Sequence, residues 1–271
     1  METPPNSPEN SPTKQPTKNK FFQQNALCNE LHNGQEIWFS KFEFALQDFS
    51  EVEKLENEVI FICGNSDCSF SERMAERKPP NVRKIYATNS ICSDNETIFS
   101  LPIGIESAFS ANRTGHGQGF SFASQKEEII RSIQPKQTKN LIYSNFLIDT
   151  NPSIRQFLFN NLRGSHITKE SGVPMSHFFE QIAYHEAVLC PVGNGLDTVR
   201  TYETFYCGKV PIIYGSDQVF KQLFFDMPCV YVSSVDEIND ESYISAKINE
   251  AKNRTNFEKA YLDYWITAIN G

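Results

Sequence analysis

Residues 190–217 read CPVGNGLDTVRTYETFYCGKVPIIYGSD. The stretch passes from an apolar segment through a loop carrying Gly193 and Gly195, into a helical pattern, and on to a second apolar segment, VPIIY (210–214). Strand, tight loop, helix and strand in that order form the repeating unit of a parallel sheet. The loop and first helical turn also hold Asn194, Asp197, Thr198, Arg200 and Glu203, more polar chemistry than a turn requires.

The same alternation extends in both directions. Downstream lie a helical pattern at 216–225, a strand CVYVSS (229–234), and two helical stretches at 235–252 and 256–269. Upstream, LIYSNF (141–146) and AVLCPV (187–192) read as strands and SHFFEQIAYHE (176–186) as a helix. NPSIRQFLFNNLRG (151–164) reads as a helix with Asn151 as N-cap, Pro152 at its first position and Gly164 as its stop. The first half repeats the theme. EVIFICGNSD (58–67) holds a short continuous apolar run stopped by Gly64 and Asn65, as a strand buried on both faces requires. VRKIYATN (82–89) and TIFSLPIG (97–104) are further strands, and SQKEEIIRSI (124–133) begins with Ser124 and Glu127 at capping-box spacing.

Two α/β units with Rossmann-like parallel sheets follow, facing one another across a cleft, because ligands of such sheets bind outside the carboxyl ends of the strands. The polar, proline-containing 134–140 marks a boundary. Residues 21–135 then form an N-terminal unit, 136–255 a C-terminal unit, and 256–271 a last helix near the junction. Residues 1–20 hold five prolines and no aliphatic residue beyond Met1, the composition of a disordered tail. Residues 110–122 are glycine-rich and aperiodic, a loop whose His116 is placed to touch a ligand.

Composition narrows the function. The 271 residues are 39% hydrophobic with 22 phenylalanines, enough for sizeable cores. The net charge of −8 argues against non-specific nucleic-acid binding, which needs a basic footprint. Seven scattered cysteines without zinc-ligand spacing read as buried free thiols. No apolar run approaches a membrane span and no signal peptide is evident, so a cytoplasmic protein is expected.

In the 190–217 loop, glycines let backbone approach a ligand while the following helix aims its free N–H groups at the same spot. Arg200 beside that helix start suits a diphosphate, and Glu203 one turn deeper suits the vicinal hydroxyls of a ribose. The plainer reading is an i,i+3 ion pair after a glycine turn, worth about 0.2–0.5 kcal/mol. Arg155, inside the start of the 151–164 helix, is either a second diphosphate cation or a solvent-facing helix residue. GNGLDT also approaches a dinucleotide fingerprint, with Asp217 beyond the next strand, but Thr198 replaces its third glycine.

The run CPVGNGLDTVRTYETFYCGKVPIIYG resembles the donor-binding motif of exostosin-like glycosyltransferases of GT-B architecture. Asn194, Asp197, Arg200, Glu203, Gly208 and Pro211 fall on that pattern, while Thr204 and Phe205 depart from it. FICGNSD, NVRKIYATN and LPIGIES resemble the acceptor-side half of small members, so the likeness spans most of 58–234. The chain also resembles small virus-encoded xylosyltransferases. The resemblance implies transfer of a sugar, xylose being one candidate, from a UDP-sugar to a glycan acceptor. It implies that Arg200 contacts the diphosphate and Glu203 the ribose, with Asn194, Gly195, Asp197 and Thr198 lining the phosphate and sugar end.

No Asp-X-Asp pair is present to hold a cation against a diphosphate. Metal-independent catalysis without a resident cofactor is therefore expected, with arginines and helix dipoles offsetting the leaving-group charge. An inverting transfer needs a carboxylate to deprotonate the acceptor. Asp67, at the end of its strand, is the first candidate and Glu106 in LPIGIES the second. The plainer readings are an Asx-turn residue and a surface acid. A dinucleotide-dependent oxidoreductase and a non-catalytic nucleotide- or carbohydrate-binding module are the competing functions.

Overall fold

A computed structural model of the chain describes residues 20–31, 36–93, 96–108, 110, 119–134 and 136–271. The expected tail up to residue 19 and most of the glycine-rich loop, with His116, lie outside the described residues.

Among the described residues, nine strands form two sheets, each parallel throughout. The first has the order β1 (Glu36–Lys41), β2 (Val59–Gly64), β3 (Val82–Thr88), β4 (Ile98–Leu101). The second has the order β6 (Ile167–Glu170), β5 (Asn140–Asn145), β7 (His185–Pro191), β8 (Val210–Tyr214), β9 (Val230–Val232). The mixed α/β fold with two parallel sheets is thus present. Helices α1 (Gln24–Glu30), α2 (Ala45–Val52), α3 (Glu72–Ala75) and α4 (Ala123–Ser132) belong to the first half of the chain. α5 (Pro152–Asn161), α6 (Met175–Ala183), α7 (Val199–Tyr206), α8 (Asp217–Val219), α9 (Val235–Asn239), α10 (Glu241–Lys252) and α11 (Leu262–Asn270) follow.

The strands alternate between two cores at the period of two that a pleated strand imposes. In β2, Ile60 and Ile62 enter a core that also contains Val188 and Cys190 of β7 and Ile213 of β8. Val59, Phe61 and Cys63 face the other way, against Phe49 of α2. In the second sheet Ala187, Leu189 and Ile212 turn toward Leu158 of α5 and Ile244 and Ile248 of α10. Both sheets therefore share one core and each has a second of its own. The shared core is sealed by α11, whose Trp265 stacks edge-on against Phe22 and whose Ala268 carbonyl accepts a 3.1 Å bond from the Tyr86 hydroxyl.

Several local expectations change. Ser124 does not cap α4: the helix starts at Ala123, and Glu127 bonds Gln23 and Arg131 instead of closing a capping box. The 216–225 helix is one α-turn followed by a π-helical turn, Phe220–Phe224. Asp240 splits the 235–252 stretch, because its carboxylate caps α10 at the Tyr243 N–H. Asn151 does cap α5, with Pro152 at the first position, but the helix ends at Asn161, before Gly164. α4, placed with the first half, packs on α6 and α7 of the second. Among the described residues no helix is long and apolar enough to cross a membrane.

Candidate functional site

The glycine loop leaves β7 at Pro191 and enters α7 at Val199. Its closest neighbours are the chain's own side chains. A Cβ on Gly193 would meet the Arg155 guanidinium at 2.8 Å, and one on Gly195 would meet the Asn89 amide at 2.9 Å. A side chain at either position would have to displace the Arg155 guanidinium or the Asn89 amide.

Arg155 is buried, so it is not the solvent-facing helix residue that was one of its two expected settings. From α5 it reaches under the loop and donates to the Val192 carbonyl (2.9 Å), the Pro191 carbonyl (3.1 Å), the Leu147 carbonyl (2.9 Å) and the Thr150 hydroxyl. All four acceptors are neutral. Burial, with the charge of Arg200 beside it, pulls the guanidinium down to about 10. The N-cap Asn151 adds a 3.0 Å bond to the Gly193 carbonyl.

Arg200 lies over the ring of Phe178 of α6, its guanidinium carbon 3.7 Å from the ring centre. It donates to Glu203 Oε2 at 3.0 Å and to the Asn145 carbonyl at the end of β5. Glu203 is 5% exposed, and its other oxygen takes a 2.7 Å contact from Lys126 of α4. Burial alone would raise the Glu203 carboxyl, but Lys126 and Arg200 outweigh it and hold it below the usual range. Lys126 also pairs with Glu106 at 2.6 Å. Burial disfavours its charge, yet Glu203 and Glu106 together hold it above an ordinary lysine.

Asp197 ties the loop to the first half of the chain. Its backbone N–H donates to Asn89 Oδ1 at 2.7 Å, and its Oδ2 accepts from the Ile103 N–H (2.8 Å) and the Tyr202 hydroxyl (2.7 Å). Its Oδ1 is buried and makes no hydrogen bond. Burial pushes this carboxyl up to about 7, against the pull of the donors on Ile103 and Tyr202. Asn89 holds a left-handed backbone, φ 55°, at the end of β3 and donates its amide to the Ser66 carbonyl at 3.0 Å. One asparagine thereby joins the turns after β2, β3 and β7. Asn194 is exposed, and Thr198 precedes α7 without capping it.

Asp67 and Glu106 line one cavity of about 540 Å³ beyond the carboxyl ends of the first sheet. Asn65, Ile103 and Phe120 contribute, and Val199, the first residue of α7, closes the wall. Asp67 is exposed, whereas Glu106 is half-buried against Lys126. The structure therefore gathers Arg155, Arg200 and Glu203 at the end of the second sheet, and Asp67 and Glu106 at the end of the first. Asp197 is turned from the loop into the junction. Lys126 and Asn89 escaped sequence reasoning. The only signal for Asn89 was an asparagine directly after a strand, and Lys126 looks like any helix lysine.

Of the cysteines, Cys68 is exposed, Cys207 half-buried and the others buried, with no disulfide among them. Among the described residues no three His, Cys, Asp or Glu side chains gather as a metal-binding group. No family model matches the chain, and no curated protein is significantly similar to it.

Proposed function

We propose that the protein is a glycosyltransferase of GT-B architecture that moves a sugar from a UDP-sugar, a UDP-pentose such as UDP-xylose among the candidates, to a glycan hydroxyl with inversion and without a metal. The observation that carries this reading is the placement of two sets of groups. A cation-rich helix start lies at the carboxyl end of one parallel sheet, and a carboxylate-lined cavity at the carboxyl end of the other reaches the first residue of that helix.

In this reaction the acceptor oxygen attacks the anomeric carbon while a cavity carboxylate, Asp67 or Glu106, takes its proton. The anomeric C–O bond to the diphosphate breaks, and its electron pair leaves with UDP. Negative charge grows on the diphosphate as that bond lengthens, and preorganised cations near it lower the barrier. Arg200, one-quarter exposed, is placed to touch the diphosphate. Arg155 has its donors committed to neutral acceptors, so it acts through its field. Exposed Asp67 is free of a cationic partner within 4 Å among the described residues, which favours it as base over Glu106.

Calorimetry with UDP in the presence of EDTA tests the reading, with GDP and NADH as comparators. UDP is expected to bind without divalent cation, and Arg200→Ala to weaken it about tenfold to a hundredfold, the worth of a charge-assisted hydrogen bond. Binding of NADH in preference to UDP would overturn the reading in favour of an oxidoreductase. UDP binding with no transfer to any glycan acceptor would leave a binding module.

A further inference from the structure

Lys126 is one of two buried cations among the described residues, the other being Arg155. Its ammonium lies 2.6 Å from Glu106 Oε2 and 2.7 Å from Glu203 Oε1, with the side chain 9% exposed. Glu106 follows β4 in the first half of the chain, and Glu203 sits on α7 in the second. One ammonium thus joins a carboxylate of the acceptor cavity to the carboxylate placed for the donor ribose.

Both Glu203 oxygens are taken, one by Lys126 and one by Arg200, and the residue is 5% exposed. Each oxygen keeps acceptor capacity beyond its cation contact, but the residue is buried, so a vicinal diol finds room against this carboxylate where one cation contact opens. Arg200 is held on three sides, by the Phe178 ring, the Asn145 carbonyl and Glu203 itself. Lys126 has a flexible four-carbon stem and a second carboxylate already in contact, so leaving Glu203 does not strand its charge. Lys126 is the contact that yields.

We infer that Lys126 is a positioning residue that couples the two half-sites: it occupies Glu203 while the donor is absent, and the donor ribose displaces it onto Glu106 alone, fixing that carboxylate against the acceptor cavity. The inference rests on the nucleotide-sugar reading above. The charged groups around Lys126 are Glu106 after β4, Glu203 and Arg200 on α7, and the Glu127–Arg131 pair on its own helix. Asp67 and Lys41 line the neighbouring cavity wall.

Carboxyl-carbon NMR of the glutamates in the full chain, titrated with UDP, tests the coupling directly. Saturation with UDP should move the Glu203 and Glu106 resonances together in the wild type, and leave Glu106 unmoved in Lys126→Met. That variant keeps the apolar stem without the competing charge. It should bind UDP about tenfold tighter by calorimetry while kcat for sugar transfer falls at least about tenfold, with Lys126→Arg recovering part of kcat. General structural damage would weaken both quantities together. If UDP saturates the wild type and the Glu106 resonance stays still, the coupling is wrong. The same holds if Lys126→Met binds UDP no more tightly than wild type. Failure of wild type to bind UDP at all would overturn the nucleotide-sugar reading itself, and this inference with it.

Discussion

Replacing Asp197 by asparagine should flatten the pH dependence of stability between about pH 5 and pH 8. The carboxyl is buried at the junction of the two halves, and its Oδ1 makes no hydrogen bond. A carboxylic acid that ordinarily titrates near pH ~4 titrates here at about 7. The folded state therefore binds this proton more tightly than the unfolded chain does. The sign follows from linkage: a carboxyl raised on folding contributes stability that is complete below its unfolded value and is lost as pH rises through the folded one. The loss runs at about 1.36 kcal/mol per pH unit between those values, so the span from pH 5 to 7 removes about 3 kcal/mol. Asparagine keeps an acceptor for the Ile103 N–H and the Tyr202 hydroxyl but cannot ionise. Urea unfolding of both proteins across that range gives the comparison. The wild type should lose about 3 kcal/mol more than Asp197→Asn, which for a chain of this size corresponds to a difference in Tm change of roughly 6–12 °C. Curves that stay parallel within about 0.5 kcal/mol would refute the placement of the proton on Asp197.

Two further outcomes probe the site from either side. Arg155→Ala should destabilise the protein by about 2–4 kcal/mol in denaturant unfolding, because it strands buried carbonyls beneath the glycine loop, and Arg155→Lys should recover less than half; a loss under about 1 kcal/mol would show that the loop holds itself. Asp67→Asn should leave UDP affinity unchanged in calorimetry while turnover drops by roughly 10²–10⁴, and near-normal turnover would pass the proton-accepting role to Glu106, to be checked with Glu106→Gln.

The central strands were legible because burial on both faces leaves a continuous apolar run, as in VIFICG of β2 and VPIIY of β8. β1 and β6 escaped notice for the complementary reason. Both are edge strands, and EIWFSK and ITKE carry charges where a central strand would be apolar. The cap of α5 was visible because Asn and Pro act within three residues of the helix they start. The apparent Ser124 cap failed because Glu127 found better partners in Gln23, over 100 positions away in sequence, and Arg131. Site residues followed the same division. The Arg200–Glu203 pair is local on one helix and could be read from spacing. The contacts of Glu203 with Lys126 and of Asp197 with Asn89 and Ile103 join segments about 75 to 110 residues apart, and no local pattern encodes them.

The charge balance at the end of β7 carries the argument beyond the motif. Arg155, Arg200 and Lys126 are three cations, and the carboxylates paired with them are two, Glu106 and Glu203. Asp197 lies in the same junction, yet burial pushes its carboxyl up to about 7, so it supplies only part of a compensating charge near neutral pH and little in acid. An excess positive charge is thus gathered at the end of β7, most deeply buried at Arg155 and Lys126, within a chain whose net charge is −8. Enclosing such a charge costs free energy unless something neutralises it. The protein's own groups offer only neutral carbonyls and a hydroxyl to Arg155, while burial and the charge of Arg200 lower its proton affinity. A bound diphosphate would cancel the excess charge from the loop side. The same anion would favour the charged form of Arg155 and so strengthen its own site. Binding of UDP should accordingly weaken steeply with ionic strength, and a salt-independent affinity would show that the excess charge serves only to hold the loop.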